Sequence, residues 1–275
     1  MKLRGRIPTY LLPMMCMVTA PGAATEHETA VQSADAAAEA SADNPAIEAE
    51  ALQIFKRMAD YLAAAKAFSY HSESSYDVVQ ASGMKVEFGA SRNVLVSRPN
   101  QLRMDSERRD GMRGELIFDG RKIWAVDPDE NVYATADQPG GLDETIDFLV
   151  VELRVKAPMA DLLEPDLYER VTKKLTGALD LGEKVVSGVV CDHLLMSNDY
   201  TDFQLWITTG DQPMLKRIVI TYKEEPGEPQ YRAQFRDWDM APENVRARLD
   251  FRPPDGAERI RFYVPAMNPE QADQS

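Results

Sequence analysis

The sequence is poor in cysteine, histidine and positive charge, and these shortages exclude several classes of protein. Its 275 residues include two cysteines and three histidines, too few for a disulfide framework or a four-ligand zinc site. Lysine and arginine total 31 against 45 aspartate and glutamate residues, which gives a net charge of −14. A polyanion repels such an acidic chain unless basic residues are segregated. No basic run is present, so nucleic acid is not expected as a partner.

Motifs that carry common enzyme chemistry are also missing. The sequence has no Gly-rich phosphate loop, no Gly-x-Ser-x-Gly and no His-Glu-x-x-His. Cys191 and His193 would share one face of a strand while Asp192 points to the other. A reactive cluster would therefore need a residue from another strand, such as His71, and ordinary structural hydrogen bonds are the favoured interpretation. We predict no catalytic residue, no metal site and no cofactor.

Long apolar runs are missing as well, and a short one lies at the N-terminus. The first 24 residues carry three positive charges and no negative charge, residues 7–20 are mostly apolar, and Gly22-Ala23-Ala24 offers small residues for cleavage. This pattern predicts a secretory signal peptide over residues 1–24. Its apolar part is shorter than the roughly 20 residues of a membrane helix, so no transmembrane span is expected in the mature chain.

Cys16 offers an alternative end to this signal, a lipidated cysteine. Lipidation sites favour an aliphatic residue three positions before the cysteine and a small one directly before it, whereas Pro13 and Met15 stand there. A lipid anchor at Cys16 is therefore the less favoured alternative. Residues 25–44 are rich in Ala, Glu and Ser and predict a flexible leader, because they offer little apolar surface to bury.

A helix is predicted over residues 45–66. Asn44 suits the capping position and Pro45 the first turn. Apolar residues then recur at steps of three and four: Ile47, Ala51, Ile54, Phe55, Met58, Leu62 and Ala65. Such a stripe predicts a helix packed against an apolar surface of the core.

From Phe68 onward the apolar period changes to two, and turn-forming pairs such as Ser82-Gly83 and Ser187-Gly188 separate the runs. Hairpins linked by such turns favour an antiparallel sheet. The predicted strands span residues 68–80, 84–97, 100–107, 113–119, 122–127, 131–135, 177–187, 189–197, 201–208, 214–223 and 229–239.

A helical island interrupts the strands. Leu142, Ile146, Leu149, Val150 and Leu153 share a helical face, and shorter helices are predicted from Pro158 to Leu163 and over 166–172. We predict one α+β domain over residues 45–265, followed by a disordered tail at 266–275. Its architecture is a single large, curved antiparallel sheet, a half-open β-barrel of about 11 strands, with helices packed on the concave face.

Three neighbouring strands are predicted to present one continuous apolar face. The residues that alternate onto this face are candidates for ligand binding: Phe203, Leu205, Ile207, Ile218, Ile220, Tyr222, Tyr231 and Phe235. Two interpretations stay open. Either the helices cover this face completely and make an ordinary core, or they leave a gap that accepts an acyl chain or another apolar ligand.

Positive charge concentrates in one predicted hairpin, which contains Arg98, Arg103, Arg108, Arg109 and Arg113. Two acidic residues, Glu107 and Asp110, lie in the same hairpin. A solvated hairpin is the simpler interpretation. Contact of Arg103, Arg108, Arg109 and Arg113 with an acidic headgroup or an acidic partner protein is the functional alternative.

Two groups of short motifs resemble known families. Residues 118–124 (FDGRKIW), with Asp127-Pro128 and Val132, resemble a hairpin of bacterial periplasmic lipoprotein carriers, and residues 251–257 (FRPPDGA) resemble an ending common in that superfamily. Five further stretches resemble an uncharacterised family of predicted periplasmic proteins over about residues 46–262. They are residues 58–62, 98–103, 191–194, 204–207 and 213–217.

The carrier resemblance implies a half-open barrel closed by helices around a hydrophobic cavity for lipid or acyl chains. The residues with which the carriers handle their ligands are not identifiable in this sequence, so carriage of lipoproteins is not implied. We therefore expect a non-enzymatic periplasmic or envelope protein that binds a lipid or another hydrophobic small molecule. An envelope protein that binds or senses another protein is the alternative, and an enzyme that uses the cavity is less favoured. The sequence does not indicate an oligomeric state.

Overall fold

The structure, a computed structural model, describes residues 46–153 and 157–262. Several predictions fall outside these residues: the signal peptide (1–24), the leader (25–44), the cap at Asn44-Pro45, Cys16 and the tail (266–275). Within the described part of the chain, no helix is long and apolar enough to cross a membrane.

In the part of the chain that the structure describes, twelve strands form one sheet. Eleven of them were predicted from the alternating pattern, and no end differs from its prediction by more than two residues. Their bounds are β1 Ala67–Val79, β2 Lys85–Ser97, β3 Gln101–Arg108, β4 Arg113–Phe118, β5 Lys122–Asp127, β6 Val132–Asp137, β7 Gly177–Val186, β8 Val189–Ser197, β9 Thr201–Thr208, β10 Leu215–Tyr222, β11 Gln230–Asp239 and β12 Glu258–Arg259. β12 was not predicted, because two residues are too few to show alternation.

The order of the strands follows from two antiparallel meanders. β1 to β6 form one and β7 to β11 the other, and the pairing of β1 with β11 joins them. β12 adds to the edge of β6 in parallel. Since the edge strands β7 and β12 are not paired with each other in the described residues, the curved sheet stays open. The predicted fold class, α+β with one large curved antiparallel sheet, is confirmed.

The helices are short except for the first. Their bounds are α1 Ala49–Ala64, α2 Leu142–Asp147, α3 Leu167–Thr172 and α4 Val245–Leu249, with a π-helical turn at Phe148–Glu152 and a 3₁₀ turn at Ala160–Leu163. α1 begins four residues later than predicted. The preceding residues lie along the edge of β7, where the Glu48 N–H donates to the Ala178 carbonyl at 2.9 Å and Ile47 forms a parallel bridge. This pairing keeps the backbone extended up to the first helical residue.

One face of the sheet carries the core. We call it the inner face and define it by Phe68, Val96, Leu194 and Phe235, which are buried in the same cluster as α1. The predicted stripe of α1 is buried from Ala51 to Leu62. Side chains from the helical island complete the cover: Leu142, Leu149, Leu162 and Leu167.

An aromatic cluster lies where β1 meets β11. The Tyr70 and Trp238 rings are 4.6 Å apart between centroids, and Phe68 and Phe235 pack beside them. Trp238 and Phe235 are three residues apart and would point to opposite faces of a regular strand. A bulge between the pairs of Ser69 and His71 shifts the register and brings both rings to the inner face.

The opposite, outer face is partly covered by the chain after β11. The Arg103 guanidinium on β3 donates to the carbonyl of Arg248, Leu249 of α4 is 1% exposed, and Phe251 packs on Trp124 of β5. α4 was not predicted, because its five residues carry no clear apolar period. Its position explains why consecutive residues of β2, Val94 to Val96, are all buried.

The helical island contains a buried carboxyl group, Glu164, which is 2% exposed. Arg170 Nη1 lies 3.0 Å from its Oε2, yet neither carboxyl oxygen has a hydrogen-bond partner. Burial raises the pKa of Glu164 to about 7; the charge of Arg170 opposes this shift, and Asp166, Asp161 and Asp147 add to it. The folded state therefore favours the neutral acid.

Truncation of Phe235 tests the joint between the two meanders. Phe235→Ala is expected to lower the free energy of unfolding by about 3–5 kcal/mol, because a fully buried aromatic ring is lost from a packed cluster. Denaturant unfolding measures this change. The matched control is Gln234→Ala, the exposed neighbour on the same strand, which is expected to change stability by about 0.5 kcal/mol or less. Equal effects of the two variants would contradict the conclusion that the Phe235 ring stabilises the contact between the two meanders.

The raised pKa of Glu164 predicts a pH-dependent effect on stability. A carboxyl group whose folded pKa lies above its ordinary value destabilises the folded state progressively as pH rises from about 4.5 through about 7. Glu164→Gln is therefore expected to raise the free energy of unfolding at pH 8 by about 2–3 kcal/mol and to have little effect below pH 4.5. Lower stability of the variant at pH 8 would show instead that the ion pair with Arg170 outweighs burial.

Candidate functional site

A continuous row of apolar side chains crosses the inner face. The register places them directly opposite one another on β2, β1, β11, β10, β9 and β8, in the order Phe88, Tyr76, Tyr231, Ile220, Phe203 and Met196. Directly opposite residues in an antiparallel sheet touch through their side chains. The row therefore forms a single apolar surface across six strands.

The eight predicted ligand-binding residues lie on this face but differ in exposure. The five residues nearest to the helices are buried: Leu205, Ile207, Ile218, Tyr231 and Phe235. Phe203, Ile220 and Tyr222, toward the other end of their strands, are only partly buried. The interpretation as an ordinary core therefore describes the part of the face under the helices. The interpretation as a gap describes the part beyond the helices, where the side chains are only partly buried. A ligand-binding role for the eight residues stays a prediction.

Sequence reasoning missed the most exposed part of this surface. Tyr76 and Phe88 are 42% and 41% exposed, and their rings stack at 5.9 Å between centroids. Val86 is 41% exposed on the same face of β2, and Met84 precedes it at 68%. The sequence did contain a signal for it: apolar residues alternate with polar ones at positions 84, 86 and 88, in a strand that was predicted correctly. We call this surface the open apolar end and define it by Tyr76, Met84, Val86, Phe88, Phe203, Ile220 and Tyr222.

Arg92 is a cation on the inner face next to the open apolar end. Arg92 stands opposite Ser72 on β1, and its guanidinium donates to the Ser74 hydroxyl, which in turn donates to the Ala90 carbonyl at 3.1 Å. Arg92 forms no ion pair with a carboxylate in the described residues. Burial raises the pKa of Tyr231, and the positive charge of Arg92 opposes that shift. The site thus combines an apolar surface with one uncompensated positive charge.

The residues considered for catalysis do not come together. Cys191 is buried on β8, and its thiol donates to the Val189 carbonyl at 3.6 Å. His193 stacks on Trp206 at 4.3 Å, and burial lowers its pKa. His71 lies on β1, apart from β8 in the strand order, and bonds to Asn93. Across the described residues, no group of three or more His, Cys, Asp or Glu side chains is arranged to hold a metal ion.

The four arginines predicted for partner contact do not form one surface. Arg103 pairs with Asp105 and Glu115, Arg108 with Asp110, Arg109 with Glu87 and Arg113 with Asp129. Arg103 and Arg113 lie on the outer face, whereas Arg108 stands opposite Ala90 of the inner face. An acidic side chain thus accompanies each charge. Contact with a headgroup or an acidic protein stays a prediction.

Two cavities lie away from the predicted ligand-binding residues. One, of about 500 Å³, is lined by Thr135 and residues 259–262 beside β6. The other, of about 240 Å³, lies on the outer face between Asn93, Arg103, Asp105 and Arg248. Neither is lined by a residue of the open apolar end, which is a surface rather than an enclosed cavity.

Solved structures with low sequence identity are similar to this chain. An uncharacterised conserved protein from Thermus thermophilus shares 12% identity, with 77% of this chain and 99% of that chain covered and a TM-score of 0.44. The lipoprotein LppX of Mycobacterium tuberculosis shares 15% identity over 71% and 98% of the chains, with a TM-score of 0.45. A LolA superfamily protein from Nitrosomonas europaea shares 10% identity over 71% and 96%, with a TM-score of 0.35.

No curated protein matches the sequence significantly. A family model does match, over residues 51–263, and its description is "Predicted periplasmic protein (DUF2092)". The matched segment runs from the first turn of α1 to the end of the described residues and so includes every strand. The resemblance noted in the sequence is thereby confirmed, and the chain belongs to the DUF2092 family of predicted periplasmic proteins.

Proposed function

We propose that this protein is exported, cleaved after residue 24, and binds a lipid, an acyl chain or another hydrophobic ligand without catalysis. The observation that carries the proposal is the open apolar end. Large apolar side chains on a soluble protein are usually buried, and a contiguous exposed group of them marks a binding surface. A ligand laid along the row would contact its exposed members, Phe88 and Tyr76, and the partly buried Ile220 and Phe203, and would pass over Tyr231, which is 7% exposed.

The shape of the site favours an elongated ligand. The row crosses β2, β1, β11, β10 and β9, and neighbouring strands are about 4.8 Å apart, so five strands span roughly 19 Å. An extended acyl chain has the length and the flexibility to follow such a curved surface. The ligand would lie against the sheet rather than inside a closed cavity between sheet and helices.

Arg92 favours a ligand with an acidic end. An arginine facing apolar surface without a carboxylate partner is costly to desolvate unless it gains one. A carboxylate or phosphate at the end of an acyl chain would accept charge-assisted hydrogen bonds from the guanidinium. The ligand class that fits both features is an anionic amphiphile such as a fatty acid.

The exposed aromatic pair provides the first test. The double variant Tyr76→Ser/Phe88→Ser is expected to bind a fluorescent fatty acid at least about 10-fold more weakly, because two apolar contacts are removed from the site. Fluorescence titration measures the Kd. Ile260→Ser is a matched control, since Ile260 is 42% exposed at the far edge of the sheet, and it is expected to leave the Kd unchanged. Absence of binding by the native protein would overturn the proposal.

A pair of ligands tests the role of Arg92. Arg92→Gln is expected to weaken binding of a fatty acid by about 10-fold or more, because a hydrogen bond between charged groups contributes about 1.5–3 kcal/mol. Binding of the alcohol with the same chain is expected to change less than about 2-fold. Competition against a fluorescent probe gives both constants. Equal losses for acid and alcohol would show that Arg92 acts only on the packing of the sheet.

A further inference from the structure

The hairpin between β7 and β8 ends in an exposed apolar tip that neither the core nor the open apolar end uses. Ser187-Gly188 forms the turn, Val186 stands opposite Val189, and Val185 stands opposite Val190. Val185 is 69% exposed, Val190 43% and Val189 36%. We call residues 185–190 the valine tip. The sequence VVSGVV contains no charge, although 28% of the chain is charged.

Both faces of the valine tip are apolar. Val190 and Leu194 are an even number of residues apart on β8, so Val185 and Val190 lie on the inner face, beyond the part that α1 covers. Val186 and Val189 lie on the outer face. A strand at the edge of a domain normally has a polar outer face. Packing within this chain therefore does not account for the four valines.

Positive charge lies directly behind the tip. Lys184 stands opposite Cys191 on the outer face, and the charge of Lys216 is close enough to Cys191 to oppose the rise in its pKa. Arg217 stacks on Trp206 with its guanidinium carbon 5.3 Å from the ring centroid. In the described residues none of the three cations pairs with a carboxylate.

Acidic side chains of the same region lie on the inner face of the hairpin and in the adjacent turn. Glu183 and Asp192 stand opposite each other on the inner face, and Asp192 pairs with Arg57 of α1 at 3.7 Å. Asp211 lies in the adjacent turn between β9 and β10. The outer side of the hairpin thus presents an apolar end followed by three cations and an aromatic ring, within a protein whose net charge is −14.

We propose that the valine tip inserts into the interface of a lipid bilayer with anionic headgroups. A bilayer surrounds an inserted hairpin and so buries both of its faces. Lys184, Lys216 and Arg217 would meet the headgroups, where each basic residue near the surface contributes to binding. The Lys184 ammonium donates to the Leu181 and Glu183 carbonyls and keeps its charge for a headgroup. Aromatic rings such as Trp206 favour the interfacial region. The described residues place the tip about 20 Å from the row at Met196, given seven residues of strand, so membrane contact does not depend on the proposed ligand.

A second copy of the chain is a poorer occupant of this edge. Two β7 strands paired antiparallel about a two-fold axis place residues of the same face opposite each other. A pairing centred on Glu183 or on Lys184 sets like charges directly opposite each other, which is destabilising. A pairing centred on Val185 sets Val185 against Val185 but places the charged Lys184 against the apolar Val186. The cations on the outer side of the hairpin therefore favour the anionic bilayer over a second copy.

Cosedimentation with vesicles tests the proposal. The native protein is expected to bind vesicles of phosphatidylethanolamine and phosphatidylglycerol. Val185→Asn/Val190→Asn is expected to lower the partition coefficient at least about 10-fold, because the inserted apolar surface is lost. Val151→Asn is the matched control, since Val151 is 65% exposed in the helical island, and it is expected to bind like the native protein. Thermal unfolding verifies that both variants stay folded.

A charge variant distinguishes the contribution of the cations to vesicle binding from that of the valine tip. Lys184→Glu/Arg217→Glu is expected to weaken binding to the anionic vesicles several-fold and to leave binding to phosphatidylcholine vesicles unchanged. Native protein that binds neither vesicle, or tip variants that bind like the native protein, would overturn the proposal. A native dimer that dissociates in the tip variant would overturn it in favour of contact between copies. Fatty-acid binding by the tip variants is expected to stay intact, so this test fails or succeeds separately from that of the proposed function.

Discussion

The pairing of β1 with β11 is the constraint on which the rest of the structure depends. These strands are separated by about 150 residues of chain, yet they join the two meanders into one sheet. The aromatic rings of Phe68, Tyr70, Phe235 and Trp238 pack across this joint, and the Trp238 indole donates to the Leu215 carbonyl at 3.0 Å. Without the joint, each meander would lose the apolar surface that the other supplies, and α1 would lie against half of a core.

The length of the strands relative to the helices leaves the open apolar end uncovered. β1 and β2 have 13 residues each, and α1 with the helical island covers the inner face only toward one end of them. Beyond the cover, side chains continue to alternate toward the inner face because the sheet continues. The apolar side chains of Tyr76, Val86 and Phe88 are therefore held in place by their strands but exposed, because no helix reaches them. Arg92 lies at the boundary between the covered and the bare parts.

The distribution of charge is consistent with a protein that keeps its apolar surfaces for binding. On the outer face near the joint, carboxylates and guanidinium groups pair, as in Asp77 with Arg232, and Arg232 lowers the pKa of Asp77 through its hydrogen bonds. The acidic excess keeps the rest of the surface hydrated. The cations without carboxylate partners named above lie beside apolar surface, at the open apolar end and behind the valine tip. Exposed apolar residues with an adjacent cation thus occur at two separate places on one sheet.

Local pattern alone was enough to predict α1 and eleven strands to within a few residues, because period and turn residues depend on neighbours in the sequence. The same alternation placed Phe203, Ile220 and Tyr231 on one face. It could not predict β12 or α4, which are short and form against distant parts of the chain, nor the start of α1, which depends on the pairing of Ile47 with β7. The sequence by itself determined which residues are apolar and which face of a strand they share. Only the tertiary structure decided which of them are covered, because cover depends on how far the helices reach across a sheet assembled from residues far apart in the chain.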